Sequence, residues 1–126
     1  MKKKLVLCTQ LPKNRMEEIE KYCDITIAGE LKHGPIALIE NGITVISIMT
    51  DPKLVEKNII NIQEVITRGA KTLVITNQDF NYNMFDEVIK IPSVSSFLSP
   101  VLAIIPLQLL AYFISKEKGL DVDKPR

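Results

Sequence analysis

Two short runs of apolar and β-branched residues, I-T-V-I-S-I at 43–48 and T-L-V-I at 72–75, bracket a stretch whose apolar residues recur every three or four positions. Each run is short and almost continuously apolar. It reads as a strand buried on both faces, as parallel sheets require. Between the runs, Val55, Ile59, Ile62 and Ile66 follow at spacings of four, three and four. That spacing puts them on one face of a helix. Thr50-Asp51-Pro52 supplies a cap and an early helical proline in front of it. Arg68 falls in the last turn, and Gly69 closes it. Strand, crossover helix and strand form the unit from which a parallel sheet with two covered faces is built.

The rest of the chain extends this pattern. Residues 5–8 read as a strand, and 14–22 as a short helix with Met16, Ile19 and Cys23 at helical spacing. Residues 25–28 read as extended or irregular, and 30–39 as a helix interrupted by Gly34-Pro35. Asn41-Gly42 makes a turn. Residues 77–86 form a polar loop and 87–91 a short strand. A long helix runs from near Ser99-Pro100 to near Lys118-Gly119. The pattern predicts an α/β fold, a three-layer αβα sandwich with a mostly parallel sheet of about four to five strands. A length of 126 residues fits a single domain over 1–126. Ligands on such sheets sit at the carboxyl ends of the strands, near a switch in strand order.

Charge and cysteine content narrow the function classes. Sixteen basic and fifteen acidic residues leave a net charge of +1, which gives no electrostatic case for nucleic acid or an anionic membrane. Lys2, Lys3 and Lys4 read as a solvated terminus. Cys8 and Cys23 sit in apolar surroundings and read as buried thiols of a cytoplasmic protein. One His and two Cys without paired spacing do not suit a zinc site, so no metal is expected. The N-terminal apolar run is too short for a signal peptide. Residues 97–114 are a membrane candidate of marginal length that contains Ser99, Pro100, Pro106 and Gln108. A helix buried on most sides is the preferred reading.

Three kinds of polar group in this chain could carry chemistry. A phosphate is held by backbone N–H groups and hydroxyls, often at a helix N-terminus. Proton exchange near neutral pH is suited to His. A base that moves a proton is commonly a carboxylate. His33 is the sole histidine. Taken alone, a His beside a Gly-Pro turn is more often structural. Glu17, Glu18, Glu20 and Glu30 lie upstream. Asn14 with Glu17 also resembles a capping box, and Glu18 and Glu20 also read as solvated. Ser93, Ser95, Ser96 and Ser99 cluster before the long helix, where they serve either a phosphate or a helix cap.

The segment A-G-E-L-K-H-G-P-I-A-L-I-E, residues 28–40, resembles the C-terminal isomerase half of the glutamine–fructose-6-phosphate aminotransferase family. That half is built from two sugar isomerase (SIS) domains. P-L-Q-L-L-A-Y at 106–112 and K-G-L-D-V-D-K-P-R at 118–126 resemble the same family in the same order. The resemblance implies an SIS-like, flavodoxin-like fold and a phosphosugar ligand of the fructose 6-phosphate and glucosamine 6-phosphate class. It implies no cofactor. In that family the matching His reaches a neighbouring subunit's sugar site and assists ring opening, a role that falls on His33. A Glu moves the proton between sugar carbons, and that role falls on Glu17 by ungapped counting or on Glu18 by local pattern. Lys32, Ser95 and Ser96 are candidate substrate-binding residues. A neighbour is implied, either a second copy in a homodimer or a chain carrying another SIS domain.

The sequence also departs from the family. Thr9-Gln10-Leu11-Pro12 stands where the family has a glycine-rich turn. The family's serine-rich phosphate loop, its glutaminase half and its later lysine have no counterpart within residues 1–126. The cluster at 93–99 replaces more acidic family residues. Two functions therefore compete. One is an aldose–ketose isomerase part of an amino sugar-forming aminotransferase, active with a partner chain. The other is a non-catalytic domain that binds a sugar phosphate or an SIS partner.

Overall fold

The computed structural model describes residues 3–7, 23–27 and 35–123. The apolar runs become strands: β1 Lys3–Leu7, β2 Cys23–Ile27, β3 Thr44–Met49, β4 Lys71–Thr76 and β5 Glu87–Lys90. Among the described residues these five form one sheet in the order β2-β1-β3-β4-β5. Every neighbouring pair is parallel. This is the flavodoxin-like order of a doubly wound α/β fold, in agreement with the expected class. β3 and β4 pair over their full length, from Thr44 opposite Lys71 to Met49 opposite Thr76.

Among the described residues, two helices cover the sheet, α1 at Val55–Thr67 and α2 at Ser99–Glu117. Alternation along β3 shows that they lie on opposite faces. Val45 and Met49 pack with Ile62 and Val65 of α1, together with Val74, Ile39 and Phe85. Ile46 points the other way and packs with Ile75 and with Ala103 and Leu107 of α2. Each fully buried aliphatic side chain of this kind contributes about 1.5–3 kcal/mol. A 3-10 turn at Pro35–Leu38 brings Ile36 and Ile39 onto the α1 side. Gly69 follows α1 with φ of 81°, and its N–H donates to the Ile66 carbonyl at 2.9 Å. Its carbonyl accepts the Gly42 N–H at 3.0 Å, tying the two turns at the amino edge of the sheet.

Three expectations change. Residues 23–27 are a regular strand, paired with β1 along all five residues. This selects the extended alternative expected for 25–28 and moves Cys23 from helical spacing into the strand. Cys-Asp-Ile-Thr-Ile alternates apolar and polar residues, as an edge strand does. The Thr50-Asp51-Pro52 stretch does not cap α1. The helix starts three residues after Pro52 with Leu54 at its cap and no side-chain cap bond. Asp51 instead accepts the Lys53 N–H at 2.9 Å through its own carboxylate, the turn an Asp side chain forms with backbone two residues on. Finally, α2 is not buried on most sides. Only Ser99, Ala103, Leu107 and Ser115 are buried, because one sheet face touches a helix along a narrow strip. By length and composition α2 could cross a membrane, but Ala103 and Leu107 place it as a layer of the sandwich. The expected helix at 14–22 and Cys8 lie outside the described residues, as does the Cys23 side chain.

Candidate functional site

The strand order reverses between β1 and β3, the place where a doubly wound sheet opens a crevice at its carboxyl edge. The described side of that edge consists of the exits from β3, β4 and β5. Thr50, Asn77 and Gln78 leave the sheet there, and Ser99 approaches from the start of α2.

These exits are joined by side chains. The buried Thr76 hydroxyl donates to the Met49 carbonyl at 2.6 Å and accepts the Gln78 N–H at 3.0 Å. Gln78 Nε2 donates to the Thr50 carbonyl at 3.2 Å and to Asn77 Oδ1 at 2.6 Å. Asn77 Nδ2 donates to Ser99 Oγ at 3.3 Å, and Ser99 Oγ donates to the Ser95 carbonyl at 3.3 Å. The Tyr82 hydroxyl closes the loop from below by donating to the Gln78 carbonyl at 2.5 Å. Phe80, Tyr82 and Phe85 anchor this loop through edge-on ring contacts with centroids 4.7 and 6.1 Å apart.

An ion pair flanks the network. Lys90, in the last position of β5, bonds the Asp79 carboxylate. Its Nζ also lies 5.2 Å from the centre of the Tyr82 ring. The Lys90 hydrogen bond, then its charge, hold the Asp79 carboxyl below the ordinary carboxylate value. Asp79 in turn raises Lys90. Both groups are exposed and keep opposite charges at neutral pH.

The start of α2 offers few free donors. The Leu98 and Ser99 N–H groups bond the Ser95 carbonyl at 2.9 and 3.1 Å. Pro100 has no N–H. The Val101 and Leu102 N–H groups bond the Leu98 carbonyl at 3.0 and 3.3 Å. Ser95 and Ser96 are exposed in the turn just before this helix. An anion at that point would therefore meet hydroxyls rather than open backbone amides. Among the described residues, no group of three His, Cys, Asp or Glu side chains could hold a metal ion.

His33, Lys32, Glu17 and Glu18 lie outside the described residues. The structure brings Ser99 to Asn77, which the sequence reading does not foresee. Thr76, Asn77, Gln78, Asp79, Tyr82 and Lys90 are likewise not singled out from sequence. The signal available was the polar T-N-Q-D that follows a buried strand directly.

The model of the SIS domain family matches residues 13–114. A glutamine–fructose-6-phosphate aminotransferase (isomerizing) of Clostridium perfringens is 53% identical over 102 residues, covering 78% of this chain and 17% of that protein. The enzyme of the same name from Mycobacterium tuberculosis is 50% identical over 105 residues, again across 17% of its length. The chain thus spans about one-sixth of the curated relatives it matches. Among solved structures, the C-terminal domain of a glucosamine-fructose-6-phosphate aminotransferase from Francisella tularensis superposes with a TM-score of 0.77 at 28% identity. That alignment covers 98% of this chain and 38% of the other.

Proposed function

The chain belongs to the SIS domain family, and from that premise we propose that it binds a phosphosugar of the fructose 6-phosphate and glucosamine 6-phosphate class. The observation that carries this reading is the 53% identity to an isomerizing aminotransferase over 102 residues, within a family match that includes the A-G-E-L-K-H-G-P motif. In this reading the chain is the isomerase part of an amino sugar-forming aminotransferase, acts in the cytoplasm and needs a partner for full activity. That partner is a second copy or a chain carrying another SIS domain.

The chemistry assigned to each residue is limited and specific. His33 gives a proton to the sugar ring oxygen and receives one from the anomeric hydroxyl, opening the ring. Glu17 or Glu18 takes the proton from one sugar carbon and returns it to the adjacent one, converting aldose and ketose. Lys32, Ser95 and Ser96 hold the polar parts of the sugar phosphate. General acid–base groups of this kind each contribute about 10²–10⁴-fold in rate.

Calorimetry with fructose 6-phosphate, paired with an isomerisation assay, tests the proposal. The wild-type chain is expected to bind, and to isomerise when a partner SIS domain is added. His33→Ala is expected to bind with similar affinity and lose isomerisation by at least about 100-fold. Absence of phosphosugar binding with and without the partner would refute the reading. Full turnover by the isolated chain would refute the need for a partner. Thr9-Gln10-Leu11-Pro12 in place of a glycine-rich turn favours a second reading, in which the domain binds the sugar phosphate without turnover. Binding without isomerisation under every partner condition would select that second reading.

A further inference from the structure

The exits of β3 and β4 and the start of α2 are joined by amide side chains whose orientation is set at one end. A backbone carbonyl only accepts hydrogen bonds. The bond at the Thr50 carbonyl therefore turns the Gln78 amide nitrogen toward the exit of β3. The same nitrogen donates to Asn77 Oδ1, so the Asn77 amide nitrogen is the end that faces Ser99. Ser99 Oγ accepts that bond and donates its own hydrogen to the Ser95 carbonyl. This carbonyl also accepts the N–H groups of Leu98 and Ser99. Residues 95–99 are thus a turn closed on one oxygen, with Ser95 and Ser96 exposed on it.

Few contacts place that turn against the sheet. Among the described residues, 92–98 form hydrogen bonds only within that segment and to α2. The bond from the Ile91 N–H to the Thr76 carbonyl lies at the far end of the segment. Ala103 and Leu107 hold α2 to the sheet from about one turn further on. Such apolar contact is non-directional and does not by itself fix how the helix start is turned. The bond from Asn77 to the buried Ser99 is the directional tie between the start of α2 and a strand exit. We infer that Asn77 is a positioning residue. Through Ser99 it sets where the Ser95 and Ser96 hydroxyls stand relative to the exits of β3 and β4. The inference rests on the reading that those serines hold the polar parts of a phosphosugar, and it assigns their placement to an amide that follows a different strand.

Calorimetry of the full chain with fructose 6-phosphate provides the test, with a thermal melt of each variant as the control for folding. Asn77→Ala and Ser99→Ala break the tie from its two sides. Each is expected to weaken binding about 3- to 10-fold, the range for one lost hydrogen bond. The double variant is expected to bind no more weakly than either single one, because both remove the same bond. The deciding chain carries Ser95→Ala and Ser96→Ala together. That pair is expected to weaken binding, and adding Asn77→Ala to it is expected to change nothing further. The inference alone is overturned when the serine pair weakens binding while folded Asn77→Ala and Ser99→Ala bind as the wild type does. It is also overturned when Asn77→Ala weakens binding equally with and without the two serines, which is what a merely structural role predicts. Wild-type affinity in the serine pair removes the turn from the site. Absence of binding by the wild type removes the phosphosugar reading itself. Either of these last results overturns the inference with it.

Discussion

Asp86 occupies the position before β5, opposite Thr72 in the register that sets Leu73 against Glu87. Its Oδ2 accepts the Thr72 N–H at 2.7 Å and the Thr72 hydroxyl at 3.0 Å. The Thr72 hydroxyl accepts the Asp86 N–H at 3.0 Å in return. Thr72 is buried, so its N–H has little access to water once the carboxylate is gone. A hydrogen bond to a charged group contributes about 1.5–3 kcal/mol, and a stranded buried donor costs about 1–3 kcal/mol. Asp86 itself is exposed, so solvent screening lowers these figures. Asp86→Ala is therefore expected to cost about 2–3 kcal/mol in total. Asp86→Asn retains an acceptor oxygen and is expected to cost about 1 kcal/mol.

For a chain of this size, 2–3 kcal/mol corresponds to a drop of about 8–11 °C in Tm. The Thr72 N–H first, and its hydroxyl second, hold the Asp86 carboxyl below its ordinary value. A depressed carboxyl stabilises the folded state above the unfolded value of about 3.9, and loses that contribution as pH falls through the folded value. Urea unfolding at pH 7 and pH 3 should thus show the wild type and Asp86→Asn converging at acid pH. An Asp86→Ala variant as stable as wild type at pH 7 would refute the reasoning, as would an Asp86→Asn gap unchanged between the two pH values.

Three further substitutions probe the sheet that carries the site. Gly69 has φ of 81°, and a Cβ there would come within 2.9 Å of Asn41 Oδ1. Gly69→Ala should lower stability by about 1–2 kcal/mol from the backbone alone, and by more than Gly42→Ala, whose Cβ would meet nothing within 4 Å. Thermal melts of both variants compare the two costs. Among the described residues, Ser47 Oγ is a buried side-chain oxygen without a hydrogen-bond partner, so Ser47→Ala should raise stability by about 1 kcal/mol in urea titrations.

The strands at 43–48 and 72–75 are legible because a strand buried on both faces must be almost wholly apolar. β2 is harder to read because Asp24 and Thr26 interrupt its apolar run, so the continuous signal of a fully apolar strand is missing. The early start expected for α1 fails at Asp51, whose carboxylate binds a nearby amide as readily as it would cap a helix. For α2, composition gives the correct length. Its burial depends on how much sheet there is to cover it, and composition does not contain that quantity. On the site, the sequence singles out a motif, His33 and the serines before α2, but not Thr76, Asn77 and Gln78, to which Ser99 is joined. Asn77 and Ser99 are 22 positions apart, and only the sheet order brings the exits of β4 and β5 together.

The bonds from Met49 through Thr76, Gln78 and Asn77 to Ser99 and Ser95 have an entropic meaning. Backbone pairing fixes the strands but leaves each outgoing loop to settle separately. Here the side chains of the exit loops are already fixed against one another when the domain folds. Their rotamer freedom, about 0.5–1.5 kcal/mol for each immobilised polar side chain, is lost in folding rather than on binding. A ligand at this rim meets a surface whose shape exists before it arrives. The same fixity makes this part of the rim selective, because a molecule that does not fit must break bonds the fold has already made.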